Sequence, residues 1–167
     1  MMNMALTLNR RTLFSGAGAV LLGLPVAGLA AAGDAWAGAS WRKLTDADWR
    51  GRLPEASYGV LRKSDTEAPF SSPLNNEHRR GMFSCRGCGL PLFKSQWKFD
   101  SGTGWPSFFQ VLPGALGSKA DFAIGVPRTE YHCARCLGHQ GHVFNDGPQP
   151  TGLRYCNNGV ALTFSAA

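Results

Sequence analysis

From position 81 to the end of the chain, hydrophobic residues fall in short runs that glycine, proline, serine and aspartate separate. Short apolar runs bounded by turn-forming residues predict β-strands, and their close spacing excludes the long helical crossovers that connect parallel strands. The predicted strands are 82–84, 97–100, 107–112, 122–126, 129–133, 142–145 and 159–164. We therefore expect an all-β fold in which antiparallel strands form a barrel or a sandwich.

The segment 41–53 has a different pattern, which is typical of a short helix near the N-terminus of the fold. Thr45 is a good N-cap residue, and acidic residues follow it in the first turn, where the helix dipole favours negative charge. Pro54 is expected to end this helix. Residues 55–80 contain many polar and turn-forming residues and are predicted to wrap the core as an irregular segment.

A secretory signal is predicted at residues 1–37. The pair Arg10-Arg11 precedes a mildly apolar run at 13–32, and Ala35-Trp36-Ala37 offers a small-x-small cleavage site. The arginine pair is typical of the twin-arginine route. An uncleaved membrane anchor is the alternative, because the run is about long enough to span a bilayer, but glycine, alanine and proline make a poor stop-transfer helix.

The remaining residues, 38–167, are expected to form one exported domain located in the periplasm, with no stable membrane association after cleavage. The chain has a formal net charge of +6, and its basic residues are scattered along the sequence. A nucleic-acid interface would show them clustered, so the charge predicts solvation and no nucleic-acid partner.

Four of the five cysteines form two C-x-x-C pairs: Cys85, Cys88, Cys133 and Cys136. Four thiolates from two such turns suit a tetrahedral zinc ion, and a closed set of four leaves no position for water, so the metal would be structural. Disulfides and redox-active dithiols are the alternatives, although neither pair opens a helix within a βαβ unit. Zinc is the favoured interpretation.

The fifth cysteine, Cys156, is left over and is a candidate nucleophile. Arg154 lies two positions before it, and a nearby positive charge favours the reactive thiolate. His139 and His142 lie three positions apart with Asp146 soon after. A carboxylate can orient a histidine and raise its pKa, so that the imidazole protonates a leaving oxygen near neutral pH. From the residues alone, a buried cysteine without chemistry, or further metal binding by the histidines, stays open.

Four ordered motifs resemble those of the B-type methionine sulfoxide reductases. They are TEAPF at 66–70, FDSGTGWPSF at 99–108, CARCLGHQGHVFNDGP at 133–148 and RYCNNGVALTF at 154–164. The likeness covers almost the whole predicted mature chain. It implies two antiparallel β-sheets in a barrel-like or tent-like arrangement, a structural zinc away from the active site, and reduction of methionine-R-sulfoxide within proteins.

The resemblance also assigns roles position by position. Cys156 would attack the sulfoxide sulfur and become a sulfenic acid. Trp105 would form the apolar wall that receives the methyl group. Arg154 would favour the thiolate, and Asn158 would position the substrate.

His139, His142 and Asp146 would form the network that holds and protonates the sulfoxide oxygen. The partners implied by the resemblance are oxidised proteins and a thioredoxin-like or other thiol reductant. We expect the enzyme to be a monomer.

The sequence departs from the family pattern at three positions. Thr103 stands where many members have a second, resolving cysteine, so we expect a single redox cysteine and reduction of Cys156 by an external thiol in place of the usual internal disulfide step. Leu137 stands where glycine is common and Gln140 where leucine is common, and both are expected to affect packing more than chemistry. Two other functions compete with the reductase: an exported zinc-knuckle binding module, and a one-cysteine peroxidase.

Overall fold

The predicted N-terminal helix is α1, Asp46–Arg52, in the computed structural model, which describes residues 35–167. The Thr45 hydroxyl accepts a hydrogen bond from the Asp48 amide at 3.2 Å, and the Asp48 carboxylate accepts one from the Thr45 amide at 2.8 Å. This reciprocal pair satisfies two amides that a helix start otherwise leaves without partners. The helix is shorter than predicted because Ser40–Lys43 forms a separate 3-10 turn.

A second helix, α2, Glu55–Lys63, occupies the start of the segment predicted to be irregular, so the prediction is wrong there. Pro54 directly precedes α2, where its fixed φ and missing amide hydrogen suit a helix start. Tyr58, Val60 and Leu61 are buried and attach α2 to the core. Pro54 therefore separates two helices instead of ending the helical region.

Nine β-strands within the described residues form two antiparallel sheets. The strands are β1 Gly81–Cys85, β2 Pro91–Lys94, β3 Lys98–Phe99, β4 Ser107–Phe108, β5 Leu116–Asp121, β6 Arg128–Cys133, β7 His139–Phe144, β8 Arg154–Asn157 and β9 Leu162–Ala166. One sheet has the order β2-β1-β9 and the other β3-β4-β8-β7-β6-β5. The predicted all-β class with two antiparallel sheets and a short N-terminal helix is confirmed, and the structure adds the second short helix, α2.

The hydrophobic pattern misses β2, β5 and β8, and the strand that it predicts at 122–126 is wrong. Those residues form the turn between β5 and β6, and the apolar side chains among them are exposed. β5 lies at the edge of its sheet and has a single buried residue, so it lacks the alternation that marks a half-buried strand. Because the turn residues are apolar and the β5 residues are mainly polar, the sequence predicts a strand at the turn and none at β5.

An aromatic cluster joins the two sheets and orients the strand that carries Cys156. Phe93 from β2 stacks on Phe108 from β4 with ring centroids 4.2 Å apart, and Tyr155 from β8 lies 6.0 Å from Phe93. All three rings are buried. Because side chains alternate along a strand, a Tyr155 that points into this core directs Cys156 to the opposite face of the sheet.

No helix in the described range combines the length and the apolar character needed to cross a membrane. The predicted signal at 1–37 lies outside the described residues except for its last three positions. Twin-arginine export, periplasmic location and the domain boundary before residue 38 therefore stay predictions.

Candidate functional site

The four cysteines of the C-x-x-C pairs meet in one buried cluster. Cys85 ends β1 and Cys88 lies in the turn after it, and Cys133 ends β6 and Cys136 lies in the turn after it. Their four sulfur atoms all lie within 4.8 Å of one another. The Cys85–Cys136 and Cys88–Cys133 sulfur pairs are 3.7 and 3.5 Å apart. A disulfide needs about 2.05 Å, whereas sulfurs around a tetrahedral ion at about 2.3 Å stand about 3.8 Å apart. The geometry fits a metal.

Gln140, which the sequence predicts to affect packing more than chemistry, contacts this cluster directly. Its side chain is fully buried, and Nε2 donates a hydrogen bond to the Cys85 sulfur at 3.3 Å. Its Oε1 accepts a hydrogen bond from Asn157 Nδ2 at 3.2 Å. Since Asn157 follows Cys156 in β8, Gln140 connects the cysteine cluster with the strand of the candidate nucleophile.

Cys156 opens onto a small cavity on the face of the six-stranded sheet opposite to the aromatic core. The residues that line the cavity are Thr66, Trp105, Arg128, Gly141, His142, Phe144, Cys156, Asn157 and Asn158. His142 on β7 is the register partner of Cys156 on β8, and side chains directly opposite on neighbouring strands share a face. Gly141 allows this close pairing, because a Cβ there would collide with the Cys156 carbonyl oxygen.

Each predicted site histidine lies beside a carboxylate, but neither carboxylate is Asp146. His142 Nε2 is 2.7 Å from Asp121 Oδ2, and buried His139 Nδ1 is 3.1 Å from Glu130 Oε1. The two imidazole rings are 5.5 Å apart. Burial lowers the pKa of His142 although Asp121 acts to raise it, so the expected rise in this histidine's pKa does not occur.

Asp146 pairs with Arg154 instead. Two parallel hydrogen bonds, from Nε to Oδ1 and from Nη2 to Oδ2, are each 2.8 Å long. The guanidinium also stacks 4.3 Å from the centroid of the Phe144 ring, which lines the cavity. This pairing lowers the pKa of Asp146 and fixes Arg154 in position. Asp146 is therefore placed to hold Arg154, and the structure does not bring it to the histidines.

Burial raises the pKa of Cys156, and this effect outweighs the lowering by Thr103 and Arg154. Arg154 thus favours the thiolate, as the sequence predicts, but the free protein keeps a thiol. The Thr103 hydroxyl lies 3.9 Å from the sulfur and belongs to a row of hydroxyls, since Ser101 Oγ is 2.8 Å from Thr103 Oγ1 and 2.7 Å from Ser107 Oγ.

The loop that contains the TEAPF motif closes the other side of the cavity. Trp105 Nε1 donates a hydrogen bond to the Glu67 carbonyl at 3.1 Å, and the Glu67 amide donates one to Asn158 Oδ1 at 3.0 Å. The Asn158 side chain also donates to the Gln140 carbonyl at 3.0 Å. In the free protein both ends of this amide are engaged, so Asn158 shapes the cavity wall by holding the loop.

Sequence reasoning missed three site residues: Asp121, Arg128 and Glu130. Asp121 is the register partner of Arg128 at the turn end of the β5–β6 hairpin, and Glu130 faces His142 across β6 and β7. An acidic residue just before a hairpin turn is not a specific signal for a site, because such residues are also common on solvent-exposed surfaces without a function. The pairing of β5 with β6, which the hydrophobic pattern does not predict, was needed to find them.

Comparison with known proteins decides the family. The family model described as the SelR domain matches residues 53–166. The chain belongs to the SelR family. The SelR match includes both C-x-x-C turns and every residue assigned above to the cavity, so the resemblance found in the sequence is confirmed.

Curated proteins similar to this SelR chain include three named "Peptide methionine sulfoxide reductase MsrB". The one from Agrobacterium fabrum is 51% identical over 121 residues, which are 72% of this chain and 90% of that protein. The one from Herminiimonas arsenicoxydans is 52% identical over 123 residues, covering 73% and 90%. The one from Pseudomonas entomophila is 52% identical over 116 residues, covering 69% and 88%.

Proposed function

We propose that this SelR-family chain reduces the R-sulfoxide of methionine in proteins, with Cys156 as the nucleophile. Family membership and the MsrB relatives support methionine sulfoxide reduction. One observation carries the assignment of the site: Cys156 opens onto a cavity that His142 and Trp105 also line. A thiol, an imidazole and an aromatic wall are the groups that this reduction needs in one place.

The proton that the reaction uses starts on the Cys156 thiol, and His142 transfers it. In the free protein the raised pKa of Cys156 favours the thiol, and the lowered pKa of His142 favours the neutral imidazole. As the Cys156 sulfur bonds to the sulfoxide sulfur, its proton passes through His142 to the sulfoxide oxygen. Asp121, 2.7 Å from Nε2, stabilises the imidazolium formed on the way.

The hydroxyl formed from the sulfoxide oxygen then moves to the Cys156 sulfur as the bond between the two sulfur atoms and the bond from the methionine sulfur to oxygen both break, and methionine leaves reduced by two electrons. Cys156, oxidised by two electrons, retains the oxygen and the proton as a sulfenic acid. Two equivalents of an external thiol return it to the thiol and release water and a disulfide. Trp105 contacts the methyl group and thereby distinguishes the R epimer from its mirror image.

The buried cluster holds zinc in a structural role. Four thiolates from two C-x-x-C turns are the donor set that zinc prefers, and they leave no open coordination position for substrate or water. Four thiolates and one Zn²⁺ carry an excess of two negative charges. Two arginines that hydrogen-bond to the turns offset that charge. Arg62 donates to the Cys136 carbonyl at 3.0 Å, and Arg135 donates to the Cys88 carbonyl at 3.1 Å.

The enzyme works with one redox cysteine. The other four are buried in the metal cluster, and Thr103, which lies 3.9 Å from the Cys156 sulfur, has a hydroxyl that cannot form a disulfide. The sulfenic acid must therefore wait for an external thiol reductant, and delay exposes it to irreversible over-oxidation.

One turnover without reductant tests this function. With an equimolar R-sulfoxide peptide, we expect about one equivalent of methionine, a trappable sulfenic acid on Cys156 by mass spectrometry, metal retained, and no disulfide. The S epimer is the matched control and should give neither product. A disulfide from Cys156 to any cluster cysteine would contradict the one-cysteine cycle. Oxidation of Cys156 by hydrogen peroxide alone, with no reaction of either epimer, would favour a peroxidase, and no reaction at all a binding module.

We propose that the chain is exported by the twin-arginine route to the periplasm, from the Arg10-Arg11 pair, the apolar run and the cleavage motif. Changing both arginines to lysine preserves charge but alters the signal that the pathway reads. We expect full-length precursor to accumulate in the cytoplasm, measured by fractionation and immunoblot. The unchanged chain is the control, and normal processing of the double variant would indicate the general secretory route.

A further inference from the structure

Most of the exposed large hydrophobic side chains in the described part of the chain lie on two loops that border the Cys156 cavity. They are Phe70, Phe122, Ile124 and Val126, with 73%, 66%, 63% and 59% of their surface exposed. A fifth, Leu137, is 46% exposed and lies on the turn after Cys136, at the metal cluster. Apolar side chains grouped on the surface of a soluble domain mark interaction sites more often than scattered ones do.

The β5–β6 turn, residues 122–127, is flanked by Asp121, which contacts a cavity residue, and by Arg128, which lines the cavity. Arg128 lines the cavity and donates to Asp121 Oδ2 at 2.6 Å, and the same carboxylate contacts His142. Asp121 Oδ1 accepts a hydrogen bond from the Ala123 amide at 2.8 Å, which fixes the start of the turn. The exposed side chains of the turn are thus held at the edge of the cavity.

Phe70 is fastened to the other edge. Its amide donates a hydrogen bond at 2.7 Å to the carbonyl of Gly104, the residue before Trp105. Gly104 has φ +93°, and a Cβ there would lie 2.8 Å from Pro69 Cβ, so glycine is needed for this contact. Phe70 itself has φ +63°, a left-handed conformation uncommon for a phenylalanine.

The strand order places these two loops on opposite sides of Cys156. Trp105 precedes β4 on one side of β8, and the β5–β6 turn lies beyond β7 on the other. Neighbouring strands are about 4.8 Å apart, so β5 lies about 14 Å from β8, a distance that about four residues of extended peptide cover.

We infer that these loops form an apolar rim, Phe70, Phe122, Ile124 and Val126, that binds an extended segment of an oxidised protein. The inference rests on the proposed function, because a methionine sulfoxide in the cavity sets where the flanking chain must run. Apolar side chains about four residues from that methionine reach the rim. Segments of this kind are exposed when a protein is unfolded, so the rim selects, among oxidised methionines in proteins, those with apolar residues about four positions away.

The test compares three R-sulfoxide substrates: N-acetylmethionine sulfoxide amide, a nonapeptide with leucine three and four residues from the central methionine, and the same nonapeptide with serine. We expect KM of the wild type to be about tenfold lower for the leucine peptide than for the serine peptide. Phe122→Ser with Ile124→Ser should remove this difference, while kcat for all three substrates stays within about twofold. Phe70→Ser tests the opposite edge separately, and Leu137→Ser is the matched control away from the cavity.

The outcomes distinguish a failure of the apolar rim from a failure of the proposed reductase function. Equal KM values for the two nonapeptides in the wild type, or an equal loss for all three substrates in the double variant, would overturn the rim. Self-association of the wild type that the double variant abolishes, measured by sedimentation velocity, would make the surface a contact between copies and overturn it too. If the wild type reduces none of the three substrates, the proposed function fails instead.

Discussion

Cys156→Ser will remove at least about a thousandfold of the methionine sulfoxide reductase activity while leaving the fold and the metal in place. A serine hydroxyl at neutral pH is a poor nucleophile and cannot store the transferred oxygen as a sulfenic acid. The fold should survive because Cys156 lies at the cavity surface and outside the metal cluster. Steady-state methionine release with dithiothreitol as reductant measures the loss, and circular dichroism and elemental analysis confirm fold and metal.

His142→Ala is the matched comparison, since it removes the proton carrier and keeps the nucleophile. Activity should fall by about a hundredfold, while Cys156 remains open to alkylation. His139 is 4% exposed, contacts Glu130 and lies beside His142, so we expect it to act by positioning His142. His139→Ala should therefore leave more activity than Cys156→Ser. A Cys156→Ser protein that still reduces methionine sulfoxide would overturn both the mechanism and the assignment of the site.

Cys133→Ser will release the metal and lower the thermal stability. The four sulfur atoms converge from turns that are far apart in sequence, so metal binding joins segments that would otherwise separate on unfolding. Binding energy at such a site is folding energy, and we expect a loss of at least about 4 kcal/mol, or roughly 15 °C in Tm. Differential scanning calorimetry and zinc content per chain measure both effects.

Gln140→Met is the graded control, because it keeps all four ligands and a similar side-chain volume but removes the Nε2 hydrogen bond to Cys85. Zinc transfer to a chelator should be about tenfold faster than in the wild type, with the fold retained. Tyr131→Phe removes a hydrogen bond to Asn157 at the other end of the same buried network, 2.9 Å long, and should leave the release rate unchanged. A folded, stable Cys133→Ser protein without metal would show that the cluster does not support the fold.

The spacing of the cysteines by itself predicted which four meet in the buried cluster, and subtraction left Cys156. Ligand chemistry is a property of side-chain type and local turns, so two C-x-x-C pairs can be recognised before any strand is placed. The helix start at Thr45 was readable for the same reason, since a capping box depends on residues three apart. The family resemblance likewise rests on local motifs, and the SelR match bears it out.

The partners of the charged groups were decided by tertiary structure. Asp146 lies close to the histidines in sequence but bonds to Arg154, while His142 takes Asp121 from a strand that the hydrophobic pattern does not predict. The pKa of Cys156 likewise depends on burial, which exceeds the effect of the neighbouring arginine in the sequence.

The exposed turn at 122–126 also shows the difference between what the local sequence predicts and what the tertiary structure decides. Its residue types are those of a buried strand, and the sequence accordingly predicts one there. Only the pairing of β5 with β6 places it at the edge of the cavity, as part of the apolar rim. Local chemistry therefore determined which residues can bind metal or attack a substrate, whereas strand register and burial, which depend on residues far apart in the chain, decided what surrounds them.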